Sequence, residues 1–162
     1  MEAMAGKADA TMSKVEPQSE RSAPQRPAAL KLRVTSDPAF LAPVRRSVEH
    51  FSGQAGLDVK AAGELGLCVN EAMANVTRHA YGGATDKPVE VDVDFDGEAV
   101  RVRLRDWGHG HEPPTEPKHD PLKPGGIGLV CLKQLLDGFE FTKLPDGMRL
   151  TMKRNLNHGR AS

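Results

Sequence analysis

From Leu30 onward the chain alternates. LKLRVT, Leu30 to Thr35, places an apolar residue at every second position, the period of a half-buried strand. Ser36-Asp37-Pro38 then reads as a helix start, a capping side chain followed by proline in the first turn. The helix continues through FLAPVRRSVEHF, although Pro43 counts against a regular first half. After the Gly53 to Gly56 break, a longer helix is predicted from about Asp58 to Ala80. Its stripe of Ala62, Leu65, Val69, Met73, Val76 and Ala80 keeps the three-and-four spacing of a buried face, and Gly82-Gly83 ends it.

The pattern then returns to alternation. PVEVDVDFD and EAVRVRLRD flank Asp96-Gly97, the strongest hairpin signal in the chain. WGHGHEPPTEPKHDPLKPGG has five prolines and no periodicity, so it reads as a loop. GIGLVCLKQLLD predicts a third helix, and FEFTKL-PDG-MRLTMKR a second hairpin. The order is strand, helix, helix, hairpin, loop, helix, hairpin, with no internal repeat. It predicts an α/β chain of the two-layer α+β sandwich kind: a mixed, mostly antiparallel sheet with about three helices on one face. Residues 1–28 are rich in Ser, Pro, Ala, Gln and charge, and cannot bury enough surface to offset their ordering entropy. The expected organisation is a disordered tail over 1–28, one domain over 29–156 and a short tail over 157–162.

Composition narrows the function classes. The chain has 162 residues, room for one domain with a real core. Its 22 Lys and Arg are matched by 22 Asp and Glu, so no basic field points to nucleic acid or an anionic membrane. Aromatics at 4% argue against a base-stacking platform. No window has the apolar length of a membrane span, and MEAMAGKADATMSK lacks the apolar core of a secretory signal, so a cytoplasmic protein is expected. Cys68 and Cys131 lie in apolar helical contexts and read as buried thiols.

Three polar features remain. Glu71, Asn75 and His79 follow one another at four-residue spacing in NEAMANVTRHAY, and Glu64, Glu71, Asn75 and Arg78 fall on one line roughly opposite the apolar stripe. A solvated face has the same spacing. Against it, Asn favours caps and turns over mid-helix positions, and a carboxylate one turn from an amide oxygen suits hard-cation and proton chemistry. Asp106-Trp107-Gly108-His109-Gly110 follows a strand directly. It is either an ordinary turn or a strand-end acceptor with glycines that admit a ligand. Gly125-Gly126-Ile127-Gly128-Leu129 opens the third helix, either as a hinge or as a phosphate-facing helix N-terminus. No Gly-Lys-Ser/Thr follows, so it is not a P-loop. His109, His111 and His119 have no companion ligands at zinc spacing, and no Ser-His-Asp ordering is present.

Their order along the chain resembles the GHKL (histidine-kinase-like) ATP-binding fold. NEAMANVTRHAY is similar to its N-box, DWGHG to its G1 box and GGIGL to its G2 box, with the Pro-rich segment between them as the ATP lid. Within that superfamily the match over about residues 30 to 156 resembles the bacterial anti-sigma-factor serine/threonine kinases. The resemblance implies ATP and Mg²⁺ as cofactors. It assigns Asn75 to Mg²⁺ and the nucleotide, Glu71 to the general base, and Asp106 to the adenine amino group, with Gly108 and Gly110 clearing room for base and lid. By the same resemblance Gly126, Ile127, Gly128 and Leu129 are expected to form the phosphate-binding helix start. Its implied partners are a sigma factor or other regulator and a STAS-domain antagonist, with no direct nucleic-acid or membrane contact and with a homodimer left open. His79 reads as a helix-end histidine favoured by the dipole. Met148 follows Gly147 where the related domains often carry Thr, and Lys118 and Lys123 are the candidate lid cations. The rival reading is a non-catalytic, nucleotide-gated module that sequesters a regulatory partner. A plain ATPase of the chaperone or mismatch-repair kind couples hydrolysis to large domains that a chain of this length has no room for.

Overall fold

The helix start expected at Asp37 takes two steps. In the computed structural model, which describes residues 29–109 and 127–156, Asp37 Oδ1 accepts from the Ala39 N–H at 2.8 Å and caps a 3₁₀ turn, Pro38–Phe40. The first α-helix, α1, begins only at Leu41 and runs Leu41–Ala55. Pro43 thus falls in its first turn, where a backbone N–H has no helical acceptor anyway, so the proline costs nothing there. Gly56 closes α1 at φ +116°, a left-handed conformation that favours glycine. Asp58 then caps α2, Val59–Asn75, accepting from the Ala61 N–H at 2.7 Å.

The strands are β1 (Ala29–Thr35), β2 (Pro88–Phe95), β3 (Ala99–Asp106), β4 (Gly138–Leu144) and β5 (Gly147–Asn155), with α3 (Ile127–Leu135) between β3 and β4. They form one sheet in the order β1-β2-β3-β5-β4, and every pairing is antiparallel. The expected α+β sandwich is borne out, with no parallel pair among the described strands. The alternation works as read. Val89, Val91 and Val93 of β2, Val100, Val102 and Leu104 of β3, and Leu150 and Met152 of β5 are buried beneath the helices, while the intervening charged residues face away. The core closes with Val44, Val48 and Phe51 of α1 and Leu65, Val69 and Met73 of α2. Cys68 and Ala72 are buried as well, because α2 packs against α1 on one side and α3 on the other.

One boundary departs from the sequence reading. The regular helix does not reach Ala80: it ends at Asn75 and widens into a π-helical turn, Val76–Ala80. Periodicity continues through the widening, so the sequence gives no sign of it. The segments 1–28, 110–126 and 157–162, including both expected tails and the lid, lie outside the described residues.

Candidate nucleotide site

The junction where α2 widens is the centre of the candidate site. Side chains here change register, and π turns inside helices frequently coincide with functional positions. Asn75 is the last residue of α2, and its Oδ1 is buried with no hydrogen-bond partner among the described residues. Leaving a buried acceptor unmet costs about 1–3 kcal/mol. Such an atom is a neutral, hard oxygen ligand held ready for a donor or a cation. Glu71, one turn earlier and half-buried, lies close enough to Cys131 of α3 to help raise that thiol's pKa, after burial.

Arg154 fixes how α3 lies along α2. Its guanidinium donates to Glu64 Oε2 at 2.8 Å and to the Leu135 carbonyl at 2.5 Å. The Glu64 end of α2 is therefore tied to the C-terminal end of α3, while Glu71 lies near Cys131, one turn before Leu135. The two helices run antiparallel, and the N-terminal end of α3 points toward the Glu71–Asn75 end of α2. Ile127, Gly128 and Leu129 form the first turn of α3; Gly126 lies outside the described residues. Between the two ends Cys68 is fully buried, and burial pushes its thiol up to about 12. Both cysteines are free thiols.

The polar line drawn on the helical wheel is therefore divided. Glu64 is a structural ion-pair partner beneath α3. Asn75 and Glu71 stand at the junction, and Arg78 is exposed, its Nε donating to the Ala74 carbonyl at 3.3 Å. The reason is tertiary: α3 covers the lower turns and the π turn redirects the upper ones. His79 is exposed on the π turn.

Asp106 closes the site from the sheet side. It is 5% exposed, and its Oδ1 accepts from the Gly108 N–H at 2.9 Å. Gly108 is needed for packing: a Cβ there would lie 2.4 Å from the Ala80 carbonyl oxygen at the end of the π turn. Gly147, across the sheet, has φ +149°, and a Cβ on it would lie 2.0 Å from the Asp106 carbonyl oxygen. Met148 pairs directly with Asp106 in the β3–β5 register. Gly110 and the expected lid cations Lys118 and Lys123 lie outside the described residues.

Sequence reasoning missed the clamp between these halves. The Tyr81 hydroxyl donates to the Pro88 carbonyl at 2.5 Å and accepts from the Trp107 N–H at 2.9 Å. It joins the end of the π turn to the residue after Asp106, and burial pushes its pKa up. Ser36 pins the same corner, donating to the Ala84 carbonyl at 2.5 Å and accepting from the Lys87 N–H at 3.2 Å. The only hint in the sequence was the position of Tyr81 beside the polar turn.

Among the described residues no group of three or more His, Cys, Asp or Glu side chains is arranged to hold a metal. A single amide oxygen suits Mg²⁺, which takes few protein ligands and completes its shell from phosphate and water. Also among them, no helix is long and apolar enough to cross a membrane.

Residues 34–154 match the family described as histidine kinase-like ATPase domain. A serine-protein kinase RsbW from Listeria innocua serovar 6a is 22% identical over 138 residues, covering 79% of this chain and 87% of that protein. The RsbW of Oceanobacillus iheyensis is 20% identical over 118 residues, covering 67% and 75%. In three dimensions the fold is similar to the RsbU and RsbW domains of Rv1364c from Mycobacterium tuberculosis. The TM-score is 0.61 at 18% identity over 80% of this chain, which spans about a third (33%) of that longer one.

Proposed function

Because the chain belongs to the histidine kinase-like ATPase domain family, we propose that it is an ATP- and Mg²⁺-dependent serine/threonine protein kinase of the anti-sigma type. The observation that carries this reading is the unpaired, buried Asn75 Oδ1 one turn from Glu71. A solvated helix face would leave no such atom. The serine-protein kinases RsbW to which the chain is similar support the same class of activity.

In this reading Asp106 orients the base by accepting from the adenine amino group. Asn75 holds Mg²⁺, which when bound offsets phosphate charge. The first turn of α3 turns backbone N–H groups toward the phosphates. Glu71 takes the proton of the incoming serine hydroxyl as its oxygen bonds to the γ-phosphorus and the bond to the β-phosphate oxygen breaks. Transfer of this kind rests mainly on positioning and charge stabilisation. The acceptor is a serine or threonine on a STAS-type antagonist, and the second partner is a sigma factor or other regulator. If the two compete for the chain, phosphorylating one changes which complex survives.

The test pairs binding with transfer. MgATP raises the melting temperature of the wild type, since only the folded state has the site, and Asp106→Ala removes most of that rise. Labelled γ-phosphate passes from ATP to a STAS-type partner. A wild type that binds ATP and partner but leaves every partner unlabelled is the sequestering module instead. Met148 beside Asp106 makes adenine affinity the first quantity to measure.

A further inference from the structure

The helices cover one face of the sheet; among the described residues nothing covers the other. On that open face β3 presents Arg101, Arg103 and Arg105, and β5 presents Arg149, Thr151 and Lys153. The register sets Arg101 opposite Lys153 and Arg105 opposite Arg149. Like charges directly opposite on neighbouring strands destabilise a sheet. Arg101 pairs with Asp96, Arg103 with Asp94, and Arg105 with Asp146 at 2.5 Å. Arg149 and Lys153 make no ion pair among the described residues.

The stripe ends at Trp107. The Arg105 guanidinium lies 4.5 Å from its ring centroid and that of Arg33 lies 5.9 Å away. A tryptophan held between arginines has the composition of a protein-binding hot spot. The whole chain has equal numbers of acids and bases, so this is a local concentration of positive charge. It is bordered by an acidic row on β2, Glu90, Asp92 and Asp94, aligned with Arg105, Arg103 and Arg101. On the other side Glu140 of β4 stands opposite Thr151, so the positive strip is narrow and flanked by acids, which suits a short acidic segment laid along it better than a broad polyanion.

We propose that this strip docks an acidic segment of a partner protein, with carboxylates meeting Arg149 and Lys153 and an apolar contact on Trp107. Four residues of strand separate the two cations, about 13 Å, which an extended segment of about five residues spans. The proposal does not depend on the kinase reading, because the strip lies on the face away from the helices and needs no nucleotide.

Trp107 is the chain's one tryptophan, so its emission reports the strip directly. Titrating the full chain with a hexaglutamate peptide is expected to change that emission saturably, and less at high salt. Arg149→Gln with Lys153→Gln is expected to weaken the binding about tenfold or more while leaving the melting temperature unchanged or raised. Lys153→Gln alone gives an intermediate loss and serves as the test if the double variant does not fold. Unchanged affinity in these variants overturns the proposal. So does equal binding of single-stranded oligothymidylate with the same loss, which marks a general polyanion surface. An emission change that follows protein concentration alone, with a doubled sedimenting mass, assigns the strip to a second copy and overturns it as well.

Discussion

Glu64 and Asn75 lie three turns apart on α2, yet the structure treats their oxygens in opposite ways. Glu64 meets Arg154 at 2.8 Å, and Arg154 in turn holds the Leu135 carbonyl at the end of α3. Asn75 Oδ1 is buried and, among the described residues, has nothing to accept from. One end of the helix is closed by its own chain; the other keeps an unmet acceptor at a widened turn. Folding alone favours meeting every buried polar atom, so the open end is the part of α2 that stability does not explain.

The largest effect that sharpens this contrast is on transfer. Glu71→Gln keeps shape and reach but cannot take a proton. It is expected to slow labelled phosphate transfer by about 10²–10⁴-fold while MgATP and partner binding persist. Transfer at the wild-type rate would remove Glu71 from the mechanism. Next comes the closed end. Arg154→Ala leaves Glu64 and the Leu135 carbonyl without their donor, and urea unfolding is expected to show a loss of about 2 to 3 kcal/mol. An unchanged midpoint would mean that water replaces the guanidinium freely, and the contrast would collapse.

Asn75→Ala has the opposite sign without ligand. Removing an unmet buried acceptor is expected to leave the nucleotide-free protein unchanged or more stable by up to about 1 kcal/mol, while the melting shift with MgATP disappears. Destabilisation as large as that of Arg154→Ala would show that Asn75 has a structural role. The smallest effect concerns a carboxylate that is satisfied at the surface. Asp96 Oδ1 accepts from the Glu98 and Ala99 N–H groups at 2.9 Å in the β2–β3 turn, and these bonds, with Arg101, hold its pKa down from 3.8 to about 2. The folded state therefore favours the ionised form. That contribution is present above about pH 4 and is lost as pH falls toward 2. Asp96→Asn is expected to flatten this part of the acid limb in melts between pH 5 and pH 2, and an unchanged limb would assign it to other groups.

What could be read in advance follows from what is local. The alternation of β2 and β3, the Asp96-Gly97 turn and the buried stripe of α2 depend on neighbours within a few residues, and all appear as expected. The family resemblance, carried by three short motifs, is borne out by the family match over residues 34–154. The π turn escaped because Val76 and Ala80 fit the helical stripe equally well with or without it. Arg154 reaches Glu64, and Tyr81 reaches Trp107, across long stretches of chain, and no periodicity in either segment announces the partner. The close approach of Gly147 to Asp106 likewise belongs to the β3–β5 register. The approach of Gly108 to the Ala80 carbonyl is equally long-range, and nothing in DWGHG announces it.

That register also has a consequence for how the protein can change over generations. Asp106 and Met148 are locked together across β3 and β5, with α3 and β4 carried between them. The entropy of closing such a loop grows only with the logarithm of its length, about 0.6 kcal/mol for each doubling. A change of length between Asp106 and α3 therefore costs little in closure entropy so long as both anchoring strands are kept. The connection beside a fixed Asp106 is thus where sequences can diverge in length among descendants while the sheet stays the same.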